Sequence, residues 1–170
     1  MAAITTGSVL ARTQFAVANT IATGINSPST VDFPQGGSPT VLTNGTGANQ
    51  INLAWADQRT LTATPVTLAL NALAVAATNT GAAVFTAFKT LQVTNDITST
   101  GSLTIGNAAA TQLAIGGTGG TTNTVILKPG SSYQFTDLSA AGQSVATNFN
   151  LKLDPGAATC LATVVITGLS

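Results

Sequence analysis

The chain has 170 residues, only 6% of them charged, about a quarter of the share in an average domain, and its net charge is zero. It contains no histidine, no glutamate and one cysteine, Cys160. That inventory excludes histidine-based nucleophilic dyads, an internal disulfide and cysteine–histidine metal sites. The five cations (Arg12, Arg59, Lys89, Lys128, Lys152) are scattered singly rather than clustered for phosphate, which argues against nucleic acid.

The length suits one domain of ordinary size plus an arm, and residues 1–49 read as that arm. The N-terminal MAAITTGSVLARTQF lacks the charged-then-apolar layout of a signal peptide. No apolar run approaches the roughly 20 residues that span a bilayer. Val9 to Ile25 mixes polar and apolar residues and suits an extended strand. Gly24 to Gln50 is rich in turn formers, with Pro28, Pro34, Pro39, Gly36-Gly37 and Asn44-Gly45-Thr46-Gly47. Asn44-Gly45-Thr46 also fits a glycosylation sequon, which without a secretion signal reads as chance. A segment of this kind does not build its own core. It is expected to order against a neighbouring chain or the main domain, with Arg12, Phe15 and Phe33 as contact residues.

Residues 50–170 carry a regular β pattern. Ile51 to Trp55 alternates, and Arg59 to Leu70 follows with Leu61, Ala63, Val66, Leu68 and Leu70 apolar. Pro65 interrupts this run and marks a sheet edge or a bulge. Leu68 to Ala77 is the best helical candidate by composition. Its alternating start instead predicts the end of a strand and a loop, or at most one or two helical turns. Further strands are expected at Val84–Val93, Ser102–Ile105, Gln112–Ile115, Thr124–Leu127, Ser132–Thr136, Phe149–Leu153 and Leu161–Thr167. Turn signals recur at about 8–12-residue spacing, as in a sandwich, jelly roll or small barrel.

Three stretches invite a chemical reading. Ile115-Gly-Gly-Thr-Gly-Gly-Thr-Thr122 lacks the lysine and following helix of a phosphate loop, so it reads as a strand-to-strand connection. In Thr124-Val-Ile-Leu-Lys-Pro-Gly-Ser-Ser-Tyr-Gln-Phe-Thr136, Pro129-Gly130 suits a type II turn. The expected structure is a hairpin, with Lys128 solvated at its corner. Trp55-Ala-Asp57-Gln-Arg59 gathers the single tryptophan, an acid and a base. Trp55 and Arg59 are candidate interface anchors, and the alternative is a core tryptophan with a local ion pair. Cys160 lies in an apolar run and reads as a small buried hydrophobe. The scattered Asp residues suggest no catalytic pair and no metal or cofactor site.

Asn49-Gln50-Ile51 followed by Trp55-Ala56-Asp57-Gln58-Arg59-Thr60-Leu61 resembles the start of a group of small structural proteins of tailed phages. In that group a W-x-D-x-R-T-L segment opens the domain. The order continues with Phe85-Thr-Ala-Phe88-Lys89, Ile105-Gly-Asn107, Ile115-Gly-Gly117 and Val125-Ile-Leu-Lys128-Pro129-Gly130, and closes with Val164-Val165-Ile166-Thr167-Gly168. The likeness spans residues 49–170. The N-terminal 48 residues lie outside it, and the domain has fewer charges than the group. The resemblance implies an all-β, jelly-roll-like antiparallel β-sandwich, and the composition of residues 1–49 adds the extended N-terminal arm. The resemblance further implies a non-enzymatic virion protein on the capsid surface. Such a cement or decoration protein is homotrimeric, and its partner is the major capsid protein. The alternatives are a tail or fibre component and a carbohydrate-binding adhesive module that uses Trp55 or Tyr133.

Overall fold

The computed structural model describes residues 29–31, 40–74, 82–106, 108, 111–113, 115 and 123–170. Its strands are β1 (Ser29–Val31), β2 (Thr40–Asn44), β3 (Gln50–Ile51), β4 (Leu53–Thr62), β5 (Val66–Ala69), β6 (Ala87–Asn95), β7 (Leu103–Gly106), β8 (Thr124–Leu127), β9 (Ser132–Thr136), β10 (Gln143–Ser144), β11 (Asn150–Asp154) and β12 (Thr159–Leu169). The Leu68 region ends a strand, as its alternation predicts, and passes into one 3-10 turn at Leu70–Ala72.

Four antiparallel pairs are nested in the chain. β4 pairs with β12, β5 with β11, β6 with β9, and β7 with β8. The arrangement is that of one long hairpin rolled up, with its tip between β7 and β8. Rolling brings β12 against β6 and β11 against β7. Two sheets result, β4-β12-β6-β9, with β10 also on β6, and β5-β11-β7-β8. This is the strand order of a jelly roll, an antiparallel β-sandwich, so the expected fold class is observed.

Period-two alternation decides which side chains enter the sandwich. Cys160, Ala162, Val164 and Ile166 of β12 point inward, as do Leu151 and Leu153 of β11 and Leu103 and Ile105 of β7. Trp55, Phe85 and Phe88 are the largest fully buried side chains among the described residues, and the Phe88 and Phe135 rings meet at 5.1 Å. A side chain at Gly168 is barred by geometry. The β12–β6 ladder shifts register between Thr167 and Gly168, and a Cβ there would lie 2.2 Å from the Ala87 carbonyl oxygen.

Short connections at one end of the sandwich are tied to one another. Ala63 N–H donates to Ala158 O, Asn95 N–H to Ser131 O and Thr100 N–H to Thr159 O. Pro65 sits in one of these corners, directly before the edge strand β5.

Two local expectations are corrected. Thr124–Leu127 and Ser132–Thr136 are strands, but they do not form a hairpin. β8 bonds to β7 and β9 to β6, so Lys128–Ser131 is a corner that carries the chain from one sheet to the other. Its local geometry is as expected, with Gly130 at φ 81° and Ser131 N–H bonded to Lys128 O at 2.9 Å. Gln112–Ile115 is not a strand among the described residues. Gln112 makes only an isolated parallel bridge to Asn150, because Thr111, at φ 51°, turns the chain immediately before it.

Residues 40–51 form a strap. β2 pairs antiparallel with β1 and parallel with β3. Asn49 N–H donates to Leu138 O, and Asn52 N–H to Gly168 O. Leu42 and Ile51 are fully buried yet stand outside the main core cluster, so the strap is seated on the outside of the sandwich. Residues 40–49, assigned from the sequence to the arm, are thus bonded to the domain. The proposed strand over Val9–Ile25 lies outside the described residues.

Candidate functional site

The individual stretch on β4 is resolved by strand register. Leu53, Trp55, Asp57, Arg59 and Leu61 share the inward face. Trp55 is 2% exposed, and its indole N–H donates to Ala74 O at 3.2 Å. Asp57 is also buried and accepts from Arg59, through Nε at 2.6 Å and through Nη2. Arg59 stays partly in water, at 28% exposure. The structure therefore places Trp55 in the core beside a local ion pair, and only Arg59 of the two anchors reaches the surface. Arg12, Phe15 and Phe33 lie outside the described residues.

Arg59 stands at the mouth of a cleft of about 230 Å³ between the edges of β4 and β5. Leu68, Ala69, Leu73 and Ala74 line it, with Trp55 at its base. Its walls are more apolar than polar, with Thr67 also lining it, and the Arg59 guanidinium is already bonded to a carboxylate. It suits a small apolar side chain better than a polar substrate.

Sequence reasoning missed Lys89. It is a bulged β6 residue with no exposed surface, and its ammonium donates to Gly47 O of the strap at 2.5 Å. Burial lowers its pKa, and the nearby Asp137 carboxylate opposes that shift. A lone lysine inside the largely apolar stretch Val84–Val93 was the available signal.

The remaining polar groups are local. Asp96 is held below the usual carboxylate range by the Thr98 backbone N–H and then its hydroxyl. Asp154 is lowered by the Gly156 N–H and then by Lys152, whose ammonium lies at 3.0 Å. Burial pushes the Cys160 thiol up, against its bond to Gly101 O. Lys128 is exposed at the sheet-to-sheet corner. Among the described residues, no three acidic, cysteine or histidine side chains are grouped as metal ligands.

The outer face of β4-β12-β6-β9 is the more unusual surface. Ala54, Ala56, Gln58 and Thr60 of β4 point outward, as do Leu161, Thr163 and Val165 of β12. Gln92 and Thr94 of β6 lie beside Gln134 and Ser132 of β9. Its polar groups bond across strands. Gln58 donates to Thr163 at 3.1 Å, Thr94 and Ser132 hydroxyls are 2.8 Å apart, and those of Thr90 and Thr167 2.6 Å.

No protein-family model matches the chain, and no curated protein does. Among solved structures, one described as "Bacillus endospore appendages form a novel family of disulfide-linked pili" is similar over 69% of this chain and 89% of that one. The identity is 20% and the TM-score 0.29.

Proposed function

We propose that the chain is a structural protein of a tailed-phage virion, a cement or decoration protein that binds and stabilises the assembled head. The observation that carries this reading is where the resembling segments fall. The W-x-D-x-R-T-L segment is β4 and the closing I-x-G segment is β12. The two are laddered from Leu53–Gly168 to Thr62–Thr159. The Lys128-Pro129-Gly130 segment is the corner between the sheets. The likeness thus follows the joints of a jelly roll, a fold frequent in capsid proteins, and the step from fold to role is one of analogy. A protein that binds only the assembled shell stabilises it by mass action. A weakly charged surface suits this work, because covering it strands few charges.

The copy number per virion tests the reading, measured by quantitative mass spectrometry against the major capsid protein. A ratio near one to one supports a cement. A few copies per particle favour the tail or fibre reading, and absence from virions overturns both. Deleting residues 1–28, which leaves β1 and the strap in place, is expected to preserve the folded domain and weaken capsid attachment at least tenfold. Equal attachment would remove the arm from the account. The adhesive-module reading is weakened by the burial of Trp55.

A further inference from the structure

We infer that Asn44-Gly45 is a deamidation site gated by the strap. The side-chain amide survives while the strap is seated, and its conversion once the strap opens is a one-way release. The inference is independent of the virion reading and concerns a covalent change within the chain itself.

The residue pair sets the chemistry. When the Gly45 main-chain nitrogen gives up its proton, it attacks the Asn44 side-chain carbonyl carbon. The new C–N bond closes a succinimide ring, and the amide nitrogen leaves as ammonia. Water then opens the ring at one of its two carbonyls, giving aspartate or isoaspartate, and no other reactant is needed. A glycine after the asparagine favours closure, because no Cβ obstructs the approach or restricts the backbone. Asn44-Gly45 is the one such pair in the sequence, and Asn44 is exposed.

The seated strap holds this pair in a form that resists closure. In the parallel β2–β3 ladder, Thr43 N–H donates to Asn49 O at 3.1 Å and Gly45 N–H to Ile51 O at 3.0 Å. The nitrogen that must attack is therefore a bonded donor, and losing its proton forfeits that bond. Glycine is required at this position for a separate reason. Its φ is 144°, and a Cβ would lie 2.4 Å from Gln50 Oε1. The loop thus needs the residue that makes the asparagine reactive, and its own ladder suppresses the reaction. That ladder is in turn held from outside the strap, by Lys89 on Gly47 O and by Leu138 O on the Asn49 amide.

Reseating does not undo the change. Isoaspartate reroutes the main chain through the side chain and adds a methylene between residues 43 and 45. The Thr43 and Gly45 N–H groups flank that insertion and bond to carbonyls two residues apart. A backbone lengthened between them loses the register that keeps both bonds. Conversion also adds a carboxylate to a chain of zero net charge. The strap lies between residues 1–28 and β4, so the product has a loosened joint between arm and sandwich.

The test incubates the full chain at mildly alkaline pH and follows residue 44 by peptide-mapping mass spectrometry. The folded wild type should convert at least tenfold more slowly than the same chain unfolded in urea. Lys89→Met, which frees the strap, should convert at least threefold faster than the folded wild type. Gln50→Ala removes the 2.8 Å bond from Gly47 N–H and takes its place if Lys89→Met does not fold. Asn44→Gln, whose longer side chain closes a ring far less readily, should abolish conversion at this position. In the isolated isoaspartate product, the Asn49 amide should exchange at least tenfold faster than in the unconverted chain. Equal rates in the folded and unfolded wild type overturn the inference. So does a folded strap variant that converts no faster than wild type, or an isoaspartate product with unchanged Asn49 protection. None of these outcomes alters the virion copy number, so the proposed function stands or falls separately.

Discussion

The two outer faces of the sandwich are built from the same residue types by the same alternation, and they differ in what they carry. The β5-β11-β7-β8 face holds Lys152 and Asp154, 3.0 Å apart, with Thr67, Thr104 and the 66%-exposed Ile126 around them. The β4-β12-β6-β9 face holds cross-bonded hydroxyls and amides, and at one end it lies under residues 40–51. A surface meant for water keeps charges or scattered apolar side chains at little cost. A surface that is covered does better with polar groups already bonded to each other. The difference shows that charge is rare throughout this chain but is not placed at random.

The largest expected effect comes from what the two faces share. Trp55→Ala empties the core beneath both and should cost about 3–5 kcal/mol, read as a lowered melting temperature. Hydrogen-exchange protection should fall together in β12 and β11. Loss in β12 alone would mean that the sheets are less coupled than one core requires.

Lys89→Met acts on one face only. It removes a charged hydrogen bond worth about 1.5–3 kcal/mol from the strap. The amides of Asn49 and Gly45, bonded to Leu138 O and Ile51 O, should then exchange at least tenfold faster, with β11 unchanged. The same residue gives the face a pH signature. Its folded pKa lies below the ordinary 10.5, so between those values the unfolded chain holds more protons and stability rises with pH. The raised Cys160 thiol works in the opposite direction, so the difference between wild type and Lys89→Met is the quantity to follow. An identical alkaline profile in the two proteins would show that Lys89 is not the group responsible.

Cys160→Ser places a hydroxyl within reach of Gly101 O and should cost about 1 kcal/mol, with assembly intact. Dissociation of the assembly would show that the thiol does more than fill space. The smallest effect is expected on the water-facing sheet. Lys152→Ala removes a surface ion pair and should change stability by less than about 0.5 kcal/mol in a urea melt. A larger loss would erase the contrast between the faces.

Much of the sandwich was legible in the sequence because alternation and turn residues are local signals. The strands from Ser102–Ile105 to Leu161–Thr167 fall close to their observed bounds, apart from Gln112–Ile115. The Pro129-Gly130 turn has the expected dihedral sense. Pairing was not legible. Val125, Leu127, Tyr133 and Phe135 show the same alternation whether their strands form a hairpin or turn a corner between sheets. Nothing within thirteen residues distinguishes the two, because the partners that decide it, β7 and β6, lie earlier in the chain. The strap escaped notice for a related reason. Among turn-rich residues 42–51 only Leu42 and Ile51 are buried, too few to make a period, and the group that holds the strap is forty-two positions from Gly47. Trp55 and Arg59 stood out by residue type, but the register that turns both inward depends on the β4–β12 ladder.

The nested pairing also sets the order in which this molecule can be made. β12 leaves the ribosome after every other described strand, and it lies between β4 and β6, closing both at once. Until it emerges, β4 has no described neighbour in its sheet and the apolar sides of Trp55 and Leu61 have nothing to seal them. β4 must therefore wait, unpaired in its sheet, for a segment more than ninety residues downstream, while β5–β11, β6–β9 and β7–β8 can pair before it. Translation that stops short of Thr159 should yield chains that aggregate or are degraded rather than a smaller folded domain.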